Sequence, residues 1–163
     1  MREKIIHPIK PLYNENSKIL ILGSFPSQKS REQMFFYGHP QNRFWKVLSL
    51  VFDNKTPQSV EEKRDFILSH NIALWDVIAS CEIEGSADSS IKNVIPNDFS
   101  EILKSADINQ IFVNGKTAEK YYNKYIKEKI GRETICLPST SPANAAWNIE
   151  KLVDAWKIIL ESL

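Results

Sequence analysis

Four short apolar runs punctuate the chain: Ile19 to Leu22, Ile72 to Trp75, Ile111 to Val113 and Ile135 to Leu137. Each is nearly unbroken and too short for a helix, the pattern of a strand buried on both faces. Between these runs apolar residues recur at helical spacing. Phe44, Val47, Leu48 and Val51 fall at i, i+3, i+4 and i+7 and put one helical face directly after Asn42, a candidate N-cap. Thr56-Pro57 reads as a second helix start, with Val60, Arg64, Ile67 and Leu68 on one side and the arginine interrupting the stripe. Ala118, Tyr121, Tyr122 and Tyr125 repeat the spacing, as do Leu152, Ala155, Trp156, Ile159 and Leu160; these aromatics read mostly as core. Strands alternating with helices predict right-handed crossovers and a mostly parallel four-stranded sheet, in a three-layer α/β/α sandwich.

Length and composition narrow this picture. At 163 residues, 42% hydrophobic and 25% charged, the chain reads as one domain spanning 1–163 with an ordinary soluble core. No stretch approaches a membrane span and MREKIIHPIK lacks a signal-peptide core, so a cytoplasmic protein, off the membrane and monomeric, is expected. Two cysteines, Cys81 and Cys136, are too few for a disulfide framework or a four-cysteine metal site. A net charge of +1 argues against a broad basic footprint and confines any nucleic-acid contact to a local rim.

In open α/β sheets ligands bind beyond the C-terminal strand ends. Two predicted strands end in the most polar turns of the chain, GSFPS (Gly23 to Ser27), leading to HPQNRFW (His39 to Trp45), and LPSTSPAN (Leu137 to Asn144). A third ends at Asp76, and residues 80–90 after it read as a long polar loop. GSFPS is neither a P-loop nor a dinucleotide fingerprint. Ser139 to Ser141 lack the G-x-S-x-G context of a hydrolase, and His7, His39 and His70 have no zinc-ligand spacing. No metal or cofactor is therefore expected. What remains is a site of hydroxyls, amides, backbone N–H groups and aromatic rings. Of Phe25, Phe35, Phe36 and Tyr37, about two are expected to pack into the core and the others to stack on bases; Tyr37, before Gly38 and His39-Pro40, is the foremost stacking candidate, on an exposed tight turn. Gly23 and Gly38 read as positions of positive φ or close substrate approach. Ser139, Thr140 and Ser141 suit phosphate oxygens, with Pro142 stiffening the loop, and Lys29, Arg31, Arg43, Lys46 and Lys116 are candidate phosphate contacts.

His39-Pro-Gln-Asn-Arg-Phe-Trp-Lys-Val47 resembles the HP-x-NRFWKV segment of mismatch-specific uracil-DNA glycosylases. Together with Gly23-Ser-Phe-Pro-Ser27, Leu74-Trp-Asp-Val77, Glu84-Gly-Ser86 and Leu137-Pro-Ser-Thr-Ser-Pro-Ala143, it is similar to the hypoxanthine-DNA (deoxyinosine) glycosylase branch of the uracil-DNA glycosylase superfamily, over roughly residues 5 to 160. Two positions depart from the wider superfamily: Phe25 stands where a water-directing Asp or Asn is usual, and Ser139 where a His or Asn is usual. The resemblance implies hydrolysis of the N-glycosidic bond of an extruded, deaminated base, with Asn42 as the catalytic residue and DNA containing that base as the partner. Gly23, Ser24, Phe25, Tyr37, His39, Asp76 and Ser139 are expected to hold the base. Pro26, Ser27, Arg43, Lys116, Thr140, Ser141, Pro142, Ala143 and Asn144 are expected to hold DNA, with Ala143 to Ala146 entering the space the base leaves. No lysine lies within the two loops, so a monofunctional reaction without a Schiff base is expected. A glycosylase for mismatched uracil or thymine, and a noncatalytic nucleotide- or nucleic-acid-binding domain of the same fold, remain alternatives.

Overall fold

In the computed structural model, residues 3–84 and 88–163 are described. The chain enters through strand β1 (Glu3–Ile6) and β2 (Ile19–Gly23), then helices α1 (Gln28–Gln33), α2 (Phe44–Val51) and α3 (Val60–Ser69). Strands β3 (Ile72–Asp76), β4 (Ile78–Ile83) and β5 (Lys92–Pro96) follow, then α4 (Ser100–Ser105) and β6 (Gln110–Asn114). The last third holds α5 (Lys116–Tyr125), α6 (Lys127–Ile130), β7 (Thr134–Leu137) and α7 (Ile149–Trp156), which tightens into a 3-10 turn over Lys157–Ser162.

All four predicted strands form, and they build one parallel sheet in the order β3-β2-β6-β7. β2 shows why its sequence is unbroken: Ile19 and Ile21 pack into a core with α2, α3 and α7, whereas Leu20 and Leu22 face a second core with α4 and α5. Both faces are covered, as a parallel sheet requires. The second face holds something the apolar pattern did not announce. β4, which takes in Ser80 to Ile83 of the expected polar loop, pairs antiparallel with β1 and with β5, and this small sheet adds Cys81 and Ile83 to that core. Gly85 and Ser86 lie outside the described residues.

Helix boundaries differ in one informative place. α3 starts at Val60, capped by Ser59, whose hydroxyl accepts from Glu62 N–H at 3.0 Å. Thr56, the expected start, instead hydrogen-bonds through its hydroxyl to Ser49 in α2. Of the four aromatics around the first loop, Phe35 and Phe36 are core, while Phe25 and Tyr37 reach the strand-end cleft.

Candidate active site

The C-terminal ends of β2, β3 and β6 and the turn after β7 converge on one cavity of about 320 Å³, at the small end of the range for ligand pockets. Gly23, Ser24, Phe25, Tyr37, His39, Asn42, Asp76 and Ser139 all line it, so every residue expected to hold the base shares one wall with the residue expected to act on it. Pro26, Ser27, Lys116, Thr140, Ser141 and Ala143 also border it.

Asn42 does two jobs. Its Oδ1 accepts Phe44 N–H at 2.9 Å, which caps α2 from one residue before Arg43, and also accepts the Thr140 hydroxyl at 2.9 Å. Because a backbone N–H can only donate, the atom facing it must be the carbonyl oxygen, which fixes the amide's orientation. Asn42 lines the cavity, and its Nδ2 group, not used in either bond, remains a donor there.

Thr140 corrects one expectation. It is fully buried, its hydroxyl accepts from Asn114 Nδ2 at 3.0 Å while donating to Asn42, and its N–H donates to Asn114 Oδ1 at 3.1 Å. Its carbonyl accepts Arg43 N–H. With every polar group committed, it orients Asn42 and does not meet phosphate. Thr140→Val should leave Asn114 Nδ2 without an acceptor, costing about 1–3 kcal/mol in denaturant unfolding. It should also slow catalysis about tenfold, the equivalent of about 1.4 kcal/mol of lost positioning.

Arg43 is corrected likewise. Its guanidinium donates to the carbonyls of Ser141 at 2.9 Å, Asn144 at 3.1 Å and Trp147, so it clamps the second loop onto the start of α2. Asn144 is spent inside the same loop, donating to Ser139 O at 3.0 Å, and the Ser27 hydroxyl caps α1 by accepting Ser30 N–H. Pro142, Ala143, Ala145 and Ala146 are the exposed small residues of that clamped turn. Arg43→Ala should expose residues 141–147 to a nonspecific protease, with cleavage there at least about tenfold faster than in the parent, since hydrogen bonds to a charged donor contribute about 1.5–3 kcal/mol each; an unchanged digestion pattern would refute the clamp.

Tyr37 sits in a left-handed turn (φ 52°) as a tight turn requires, yet its ring is stacked on Phe44 with centroids 3.9 Å apart. Its hydroxyl is buried beside the Asn114 side chain, without a hydrogen bond of standard geometry. Burial, and then the charge of Asp76, push this phenol well above its ordinary range, so it stays protonated and is a donor. The ring is therefore cavity wall and not an exposed platform. His39 keeps its turn role, with Nδ1 accepting Gln41 N–H at 3.1 Å, while its ring borders the cavity.

Two residues were missed by sequence reasoning. Asn114 ends β6 and could have been found by the strand-end rule that found Gly23 and Asp76. His7 gave no signal, as a lone histidine in an N-terminal segment. It is buried behind Asp76, and its Nε2 lies 2.7 Å from Asp76 Oδ2. Among the described residues no cluster of three metal-ligating side chains exists, and no helix is long and apolar enough to cross a membrane.

Fold and cavity thus define a three-layer α/β protein whose polar pocket opens at the strand ends. Comparison with known proteins gives its family. The profile of the Uracil DNA glycosylase superfamily matches residues 10–160. A Methanosarcina acetivorans protein named Hypoxanthine DNA glycosylase is 38% identical over 133 residues, 80% of this chain and 83% of its own. One of the same name from Methanosarcina barkeri is 36% identical over 137 residues, 82% and 85% respectively. A solution NMR structure of a Methanosarcina acetivorans protein designated a candidate uracil DNA glycosylase superposes with a TM-score of 0.78 at 30% identity, over 96% of this chain and 99% of its own. The chain belongs to the uracil DNA glycosylase superfamily.

Proposed function

We propose that this protein is a DNA-repair glycosylase that flips a deaminated base, chiefly hypoxanthine, out of DNA and hydrolyses its N-glycosidic bond. The observation that carries the reading is the Asn42 amide, whose carbonyl is held by Phe44 N–H and Thr140 while its NH₂ is presented to a base-sized cavity. A bond of this kind breaks toward an oxocarbenium-like sugar and an anionic base, by analogy with glycoside hydrolysis. A preorganised neutral donor stabilises that developing charge without reorganising. With no proton-accepting atom left free on its side chain, Asn42 acts on the base and not as an acceptor for water. The 36–38% identical relatives named Hypoxanthine DNA glycosylase support the choice of base. Gly23, Ser24, Phe25, Tyr37, His39, Asp76 and Ser139 would surround the extruded base. Pro26, Lys116, Ser141, Pro142 and Ala143 would meet the flanking strand, the exposed turn Ala143 to Ala146 filling the gap in the stack.

Duplexes carrying one inosine, xanthine, mismatched uracil or mismatched thymine, incubated with the protein and then treated with alkali, test this directly. Strand scission greatest at inosine is expected; scission only at mismatched uracil or thymine would select the other enzymatic reading, and binding without scission would make the protein a noncatalytic module. The fold adds a point to the monofunctional expectation. Lys116, outside both loops in sequence, borders the cavity at the start of α5. Borohydride should nonetheless trap no protein–DNA adduct; a trapped adduct lost in Lys116→Ala would assign it a Schiff base.

A further inference from the structure

The pair formed by His7 and Asp76 lies behind the cavity wall, and its hydrogen bonds run in one direction only. His7 Nδ1 accepts Ile9 N–H at 3.1 Å. That nitrogen therefore carries no proton, and the ring's only donor is Nε2–H, which is given to Asp76 Oδ2 at 2.7 Å. His7 is nearly solvent-free, and edge-on contacts with Phe25 (5.8 Å) and Trp75 (6.3 Å) fix its ring plane. The Asp76 carbonyl is held by Asn97 Nδ2 at 2.9 Å. The carboxylate is thus anchored through one oxygen, and its other oxygen, Oδ1, lies against the bare Cα of Gly23 at the cavity floor. The buried hydroxyl of Tyr37 approaches the same Cα.

From this we infer that His7 is a positioning residue that makes Asp76 an obligate acceptor for a ring N–H of the base, so that the cavity selects the lactam edge common to deaminated bases. The inference rests on the proposed glycosylase function and specifies how its base is chosen. Deamination converts the amino-bearing edge of adenine or cytosine, whose ring nitrogen is a lone-pair acceptor, into a carbonyl beside a ring N–H. A carboxylate oxygen repels the first edge and bonds the second. The donor on the same lining, the amide NH₂ that Asn42 keeps free, suits the adjacent carbonyl and would be opposed by an amino group. A buried site built to bond a group rejects analogues lacking it, because its own polar atoms are then left unpaired.

His7 also dictates what substitution at position 76 does. In Asp76→Asn the amide oxygen must turn toward His7 Nε2–H, since the amide NH₂ cannot accept from it. The NH₂ then occupies the place of Oδ1 and presents a donor where an acceptor stood. The test is single-turnover base release from duplexes containing hypoxanthine or uracil, each compared with its analogue lacking the ring N–H and its carbonyl (purine and pyrimidin-2-one). The ratio of the two rates is read in the wild type, Asp76→Asn, His7→Ala and His7→Gln, all checked for folding by thermal unfolding. The wild type should favour the lactam base. Asp76→Asn should lower the ratio at least about tenfold, His7→Ala should lower it less, and His7→Gln, which keeps a donor to Asp76 and an acceptor for Ile9 N–H, should restore it toward wild type. A ratio unchanged in Asp76→Asn, with hypoxanthine still released by the wild type, would overturn the inference and leave the glycosylase reading intact. A wild type that releases the analogues as fast as the lactam bases would overturn it without any variant. Release of no lactam base at all would overturn both.

Discussion

Asn42→Asp should slow base release about 100- to 1,000-fold while leaving the fold as stable as the parent, and Asn42→Ala should lose rate and stability together. The cavity-facing NH₂ is the part of Asn42 that neither variant retains. Removing one preorganised donor from a transition-state site costs about 100- to 1,000-fold in rate, so single-turnover release of hypoxanthine should fall by that much in each. Their stabilities should differ. The aspartate still accepts Phe44 N–H and the Thr140 hydroxyl, the two bonds that Asn42 Oδ1 makes, and its charge at the start of α2 is favourable by about 0.3–1 kcal/mol. Alanine makes neither bond and should cost about 1 kcal/mol, as a lost N-cap does. The comparison separates two roles that one side chain performs at once. An Asn42→Asp enzyme working at or above the wild-type rate would place residue 42 on the water side of the reaction, as an acceptor, and would sink the donor assignment.

That double role explains how much could be read before folding. The four parallel strands were legible because Ile19 to Leu22 and its counterparts must be apolar on both faces. The antiparallel sheet was not, because β1 is largely exposed and acquires meaning only through its pairing with β4, from Glu3 opposite Ile83 to Ile6 opposite Ser80. The same division runs through the site. Residues on strand ends, such as Gly23 and Asp76, could be placed by topology alone. Arg43 could not, since an arginine beside a polar motif reads as a phosphate contact, and what it binds are carbonyls about a hundred positions away. Thr140 misled for a related reason: a hydroxyl in a Ser/Thr-rich turn says nothing about burial. His7 was invisible because its partner is 69 residues distant and its role lies in which ring nitrogen is already occupied.

Gly23→Ala should be the most damaging single-methyl change in the protein, slowing base release about 100-fold. Neither Gly23 nor Gly38 is among the glycines of positive φ, which among the described residues are Gly115 and Gly131, so backbone freedom is not what Gly23 supplies. It supplies room. It is the last residue of β2, paired in register with Asp76 on β3, and a Cβ there would lie 2.4 Å from Asp76 Oδ1 and 3.1 Å from the Tyr37 hydroxyl. Asp76 is short, buried and tied at its other oxygen to His7, so it cannot yield as the tip of a long side chain would. Either the carboxylate is driven from its place or β2 shifts against β3, and a displacement of about 1 Å costs about 100-fold when it misplaces groups that act on a substrate. Overpacking of this kind also costs about 1–3 kcal/mol of stability, and that loss must be kept apart from the catalytic one. Gly131→Ala provides the control: nothing lies within 4 Å of its added Cβ, but its φ of 65° imposes a left-handed penalty of about 1–2 kcal/mol. Gly131→Ala should lose comparable stability at a wild-type rate of base release, whereas Gly23→Ala should lose both; equal rates in the two variants would mean that the bare Cα at the cavity floor has no part in the reaction.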